Sequence, residues 1–205
     1  LNMTNPVIPF FRNIAYLWLA LLFILPASYT FARTLKIGEP APNLIGINAK
    51  SKKQINLIRL MTSLQFKRDV KGNLVVGENG KYVTEFIENV VVLNFFQKTC
   101  LPCLREIPTF NRIARSFIND NVKFLYVNID AGITRQNAKK FIKKNKIRIP
   151  VMLPNQKEAM RQYDAYRLPR LVVIDKNKKT ASIMEGFDGD LTFKLTKIIR
   201  DLLDE

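Results

Sequence analysis

Cys100-Leu101-Pro102-Cys103 holds the only two cysteines among 205 residues and follows directly on the apolar run Val90 to Phe96. Two intervening residues put the sulfurs about one helical turn apart, so the pair can close a small disulfide when the first cysteine stands at a helix start. Unpaired N–H groups and the positive end of the helix dipole favour a thiolate there, lowering a cysteine pKa from about 8.5 toward roughly 3.5 to 7.5. The spacing therefore points to thiol–disulfide exchange, in which Cys100 attacks and Cys103 resolves the mixed disulfide. Other uses of the pair fare worse. With no histidine and no third cysteine, a tetrahedral Cys/His zinc site cannot be built within one chain. Leu104 after Cys103 excludes a C-x-x-C-H haem attachment, and a peroxidase reading lacks the Thr-x-x-Cys arrangement. A structural staple stays open, although a bridge between near neighbours closes a tiny loop and adds little stability. Glu106 stands three residues beyond Cys103, a spacing that puts both on neighbouring faces of one helix, where a carboxylate can exchange a proton with the thiol. The alternative for Glu106 is a solvated surface carboxylate.

These residues must be positioned by a core, and 47% hydrophobic content over this length suits one domain plus an export segment. Arg12 precedes the apolar stretch Ile14 to Leu25, Pro26 breaks it, and Thr30-Phe31-Ala32 offers a cleavage point. Residues 1–32 read as a signal peptide or membrane anchor and 33–205 as the exported domain. Residues 14–31 lie near the lower limit of about 17 residues for spanning a bilayer, so anchoring is an alternative to cleavage. The expected location is periplasmic or otherwise extracytoplasmic, secreted or held at the inner membrane. The formal charge is +16, and removing residues 1–32 deletes Arg12 alone, leaving 16 minus 1, or +15. No stretch joins basic residues to stacking aromatics, so no nucleic-acid partner is expected. Lys139 to Lys146 reads as the solvated side of a helix whose Ala138, Phe141 and Ile142 face inward. The basic side chains are thus expected not to cluster on one face, and anionic headgroups could attract the domain only by long-range electrostatics.

The elements follow from hydrophobic period and turn signals. Leu44 to Ile47 and Ile55 to Ile58 predict an N-terminal hairpin. Residues 60–89 form a polar, glycine-punctuated insertion with a strand at Leu74 to Val76. Val90 to Phe96 is a central strand covered on both faces. Downstream come a helix over Leu101 to Ile118, a strand over Val122 to Ile129, a helix over Thr134 to Asn145, a short strand at Val151 to Leu153 and a helix over Glu158 to Tyr166. An antiparallel pair, Leu171 to Asp175 with Ala181 to Glu185, and a terminal helix over Asp190 to Leu203 complete the chain. The alternation predicts an α/β fold, with a central mixed sheet flanked by helices and Cys100 beyond the carboxyl end of a parallel strand.

Four blocks carry a resemblance: Ile37-Gly38-Glu39-Pro40-Ala41-Pro42, Val91 to Pro108, Tyr163 to Asp175 with Leu168-Pro169 inside it, and Glu185-Gly186-Phe187. In this ordered set the chain resembles the thioredoxin-like proteins, and within them the exported TlpA/ResA-type disulfide reductases. The resemblance implies a thioredoxin-like fold and a reversible dithiol, Cys100 and Cys103, that passes electrons to disulfides of exported client proteins, often apocytochromes awaiting haem. It implies no cofactor, a membrane thiol carrier as electron donor, and a proton-handling role for Glu106. It also implies a cis bond before Pro169 facing the disulfide, so that Leu168, Pro169 and Arg170 border the client. Pro108 matches a helix kink of the family. The chain departs from the family in having Phe96-Gln97-Lys98-Thr99 where a tryptophan usually precedes the first cysteine, and Arg170 where threonine is more usual. Arg170, Arg167 and Lys98 are expected to add positive charge near Cys100. Asn94 stands where cytosolic thioredoxins carry a buried acid. An oxidase or isomerase on the same fold, and a non-catalytic exported binding domain with a structural disulfide, remain as alternatives.

Overall fold

The computed structural model describes residues 35–205. The signal or anchor read at residues 1–32 lies outside the described residues. Among those residues, no helix is long and apolar enough to cross a membrane.

The continuous β-branched and aromatic run at Val90–Phe96 forms strand β5, buried at every position, as a strand covered on both faces requires. Its side chains alternate between two cores. Val90, Val92 and Phe96 face a cluster containing Cys103, Phe110 and Leu195, whereas Val91, Leu93 and Phe95 face one containing Leu57, Ala159 and Tyr163. Each such apolar side chain contributes roughly 1.5 to 3 kcal/mol on burial, which makes the polar Asn94 in mid-strand, 1% exposed, an exception that function must explain.

Seven strands make the mixed sheet. They are β1 (Ile45–Asn48), β2 (Gln54–Asn56), β5, β6 (Val122–Asn128), β7 (Val151–Pro154), β8 (Arg170–Ile174) and β9 (Thr180–Glu185), in the order β2-β1-β7-β6-β5-β8-β9. β5, β6 and β7 are parallel, while β1 runs against β7 and β8 against β5. Helices α2 (Leu101–Ser116), α3 (Arg135–Lys144) and α5 (Leu191–Asp204) bury apolar stripes in the Cys103 core, and α1 (Leu57–Met61) and α4 (Gln156–Tyr163) cover the opposite face. Inside α3, Ala138 and Ile142 turn inward and Phe141 packs partly against them, as their spacing predicts. At the sheet's edge Gly46 is required by close approach: a Cβ there would lie 2.7 Å from the Leu153 carbonyl oxygen.

Two element expectations are corrected. The second hairpin strand stops at Asn56, because the Asn56 side chain accepts from the Ile58 N–H and starts α1 instead. Leu74 to Val76 is no strand. It contributes only single bridges, Arg68 with Leu74 and Val76 with Tyr82, in a twisted ribbon whose regular part is β3 (Thr62–Phe66) paired with β4 (Thr84–Glu88).

Candidate redox site

Helix α2 begins where β5 ends, and Cys100 is its N-cap: the Cys100 sulfur accepts the Cys103 backbone N–H at 3.2 Å. Pro102 occupies the first turn, where its missing N–H removes no helical bond. Cys100 and Cys103 are joined in a disulfide with 5.3 Å between their Cα atoms. The two sulfurs are not equivalent. Cys103 is 3% exposed within the core, whereas Cys100 is half-buried at its margin. The helix continues through Pro108, which leaves the Leu104 carbonyl without its helical donor.

The loop that delivers Cys100 is fastened from the end of β6. Lys98 N–H donates to both carboxylate oxygens of Asp130, at 3.2 and 3.1 Å, and Asn128 Nδ2 donates to Asp130 Oδ2 at 2.7 Å. Gln97 Nε2 reaches the Ile129 carbonyl at 3.2 Å, and Cys100 N–H closes the turn on the Gln97 carbonyl. Sequence reading missed Gln97, Asn128 and Asp130 as positioning residues. The available signal was Asn128-Ile129-Asp130 at a strand end, a pairing of short polar side chains suited to local backbone capping.

Glu106 is 1% exposed, so the surface-carboxylate alternative is overturned. It lies on the inner side of α2, facing the Asn94 side of β5. Neither carboxylate oxygen meets a donor in good hydrogen-bond geometry, and Asn94 Oδ1 and the Tyr126 hydroxyl are likewise buried without a partner. Desolvation dominates, the nearby Asn94 amide offsets it in part, and the charge of Asp188 adds to it, so that the Glu106 carboxyl is raised from 4.5 to about 7. Burial, and then the charge of Glu106, push the Tyr126 phenol up as well, leaving it protonated. Asn94 and Tyr126 are partners in the β5–β6 register and point to the same face, the one that Glu106 faces from α2.

The Leu168–Pro169 bond is cis. Pro169 immediately precedes β8, whose Arg170 pairs with Phe95, so the bond lies level with the end of β5 from which the cysteine loop departs. Leu168 packs partly against the same core as Cys100. Gly186 N–H donates to the Pro169 carbonyl at 2.8 Å, and the following Phe187 is 52% exposed. Arg170 does not join this group through its side chain. Leu171 and Val173 face the Cys103 core and Val172 and Ile174 the other, so alternation sends Arg170 to the face away from Cys103. There it is 2% exposed, hydrogen-bonded and ion-paired to Glu185 and 3.7 Å from Asp164. The expectation that Arg170 adds charge beside Cys100 is corrected: its side chain is buried, ion-paired and turned to the other face of the sheet. Arg167 is exposed and Lys98 half-buried on the cysteine loop.

Residues 68–183, more than half of the chain, match the AhpC/TSA family. Thiol-disulfide oxidoreductase ResA of Geobacillus thermodenitrificans strain NG80-2 is 31% identical over 104 residues, covering 51% of this chain and 59% of that protein. ResA of Bacillus thuringiensis subsp. konkukian strain 97-27 is 28% identical over 158 residues, 77% of this chain and 75% of that protein. For the first three curated relatives matched, the chain spans between 52% and 59% of their length. The crystal structure of a thiol:disulfide interchange protein DsbE from Chlorobium tepidum superposes with a TM-score of 0.64 at 20% identity, over 83% of this chain and 99% of that one. That likeness bears on the fold, which is thioredoxin-like.

Proposed function

We propose, for a chain that belongs to the AhpC/TSA family of thioredoxin-like proteins, the role of an exported thiol–disulfide oxidoreductase that reduces disulfides of extracytoplasmic client proteins. One observation carries the reading: a helix-capping, half-exposed Cys100 bridged to a buried Cys103, with an unpaired buried carboxyl one turn further on.

The chemistry runs from the reduced pair. The N–H that now meets the Cys100 sulfur would hold its thiolate, which attacks one sulfur of a client disulfide; the S–S bond breaks and the departing client thiolate takes a proton from solvent. Cys103 then gives its proton to Glu106, whose affinity near neutrality suits transfer in either direction, and attacks Cys100. The mixed disulfide breaks, the departing client thiolate takes up the proton held by Glu106 and leaves as the second thiol, and the Cys100–Cys103 disulfide seen here is formed. Two electrons have passed to the client, so a thiol donor must return them, a role the family resemblance gives to a membrane carrier. Exposed Leu101 and Phe187, beside Cys100 and Pro169, give an extended apolar client segment a surface that the absent tryptophan does not.

Replacing the resolving cysteine tests this. Cys103→Ser is expected to accumulate mixed disulfides through Cys100 in cells, and their identification by mass spectrometry reveals whether apocytochromes are among the clients. Capture of none by Cys103→Ser, with Cys100 still alkylatable, would overturn the reading. The redox equilibrium of the protein with glutathione separates reductant from oxidant, the thioredoxin range near about −270 mV from the strong-oxidant range near about −120 mV.

A further inference from the structure

The parallel run of β5, β6 and β7, with β1 and β8 against them, brings the β1–β2 turn, the entries to β6 and β7, and the β8–β9 turn to one end of the sheet, opposite the cysteines. Cross-links confirm the grouping. Lys50 Nζ donates to the Ile147 carbonyl at 3.2 Å, Asn111 bonds both Lys146 and Arg148, and Lys178 lies 3.4 Å from Glu88. This end carries three lysines in residues 50–53, Lys146 and Arg148 before β7, and three lysines in residues 176–179. The acids on it are Glu39, Glu88, Asp120 and Asp175 and, because Lys176 Nζ donates to the Leu203 carbonyl, Asp204 and Glu205 at the end of α5, where Arg200 over the Phe117 ring adds a further cation. The expectation that the basic side chains do not cluster is therefore corrected. Sequence-distant turns meet because the strands alternate in direction.

A second feature distinguishes what such a surface would bind. Between these turns and the last turn of α2 opens a recess of about 590 Å³, lined by Phe117, Ile118, Val122, Phe124 and Ile149 and bordered by Arg115, Lys123 and Arg148. Ile118 is 75% exposed at its lip. An anionic phospholipid brings a hydrocarbon chain and a negative head together, matching an apolar recess bordered by cations. Gly38 and Ala41 N–H also donate to the Thr180 and Lys178 carbonyls at this end.

We propose that this basic end docks on an anionic bilayer, the recess taking up an acyl chain, so that the disulfide is presented on the side away from the lipid, about 23 Å along β5. Docking depends on charge and shape and stands apart from the redox reading.

The test uses the full chain with Trp18→Phe and Ile118→Trp, reconstituted in vesicles of brominated phosphatidylcholine with or without brominated phosphatidylglycerol. Whatever residues 14–31 do is common to both, so only headgroup charge differs. Quenching of the new indole is expected to be about threefold stronger with phosphatidylglycerol and to fall toward the phosphatidylcholine level in about 0.5 M salt. Adding Lys53→Gln, Arg115→Gln, Arg148→Gln and Lys179→Gln is expected to abolish the difference while far-UV circular dichroism stays unchanged. Asn119→Trp, at an exposed neighbouring position, serves if the first reporter fails to fold. Equal quenching in the two vesicles, or none in either, overturns the proposal, as does tight binding of a DNA duplex probe without a lipid response.

Discussion

At one end of β5 two ionisable groups, Glu106 and Arg170, are hidden; at the other a set of lysines is displayed. Around the cysteines, Glu106 and Arg170 are 1% and 2% exposed, and each is altered by that burial: Glu106 is left without a partner and its carboxyl is pushed up, while Arg170 is enclosed between Glu185 and Asp164 and its guanidinium is pulled down, burial being the leading cause. At the far end the lysines of residues 50–53 and 176–179 are mostly exposed and act through their summed field. The contrast teaches that charge type matters less than its solvent. A desolvated carboxyl becomes a proton carrier near neutrality, whereas solvated cations offer a surface only to a partner bringing many negative charges at once.

The contrast can be broken most forcefully at Arg170. Arg170→Ala removes the buried member of an ion-paired group and leaves Glu185 and Asp164 facing a cavity. Because these two carboxylates are themselves 38% and 37% exposed, a loss at the lower end of the buried-pair range, about 3 kcal/mol, is expected in urea unfolding. At stabilities of ordinary size this leaves the protein folded, with the exchange rate of Cys100 little changed. A collapse of that rate in the folded variant would return Arg170 to the client site.

A comparable effect, visible only through pH, belongs to Glu106. Its folded-state value of about 7 lies above the 4.5 of an ordinary glutamate, so between these limits the folded protein holds more protons than the unfolded chain, and stability falls as pH rises from about 4.5 through 7. The span corresponds to about 3 kcal/mol of unfolding free energy. Glu106→Gln is expected to flatten that slope in denaturant titrations at pH 5 and pH 8 and to slow release of mixed disulfides. An unchanged slope would mean that the carboxyl is hydrated in solution.

The smallest expected change concerns the polar groups buried beside Glu106. The Tyr126 hydroxyl is buried without a partner, so Tyr126→Phe is expected to leave stability unchanged or raise it by up to about 1 kcal/mol in thermal unfolding. A loss of more than that would show that the hydroxyl is bonded, with Glu106 its natural acceptor.

Much of the fold was legible because β5 and β8 are runs dominated by apolar residues and α2, α3 and α5 keep helical spacing, signals that survive without context. The ribbon of β3 and β4 was not, since its strands are short and expose Leu64, Phe66 and Phe86, so that no core-facing alternation marks them. In the site, Cys100, Cys103 and Glu106 were visible through spacing within a single helix. Gln97, Asn128 and Asp130 were not, because the bonds between them join the end of β5 to the end of β6, thirty-odd residues away.

The sequence alone determined what lies within one element: two cysteines a helical turn apart, a carboxyl one turn later, and a strand that ends where they begin. Bond geometry and helical pitch settle such relations before any folding. Only the tertiary structure decided which face each residue shares with distant ones. It buried Glu106 against Asn94 and Tyr126, turned Arg170 to the opposite side of the sheet from Cys103, and gathered scattered lysines at one end. Those outcomes follow from strand order and direction, which no short stretch of chain encodes by itself.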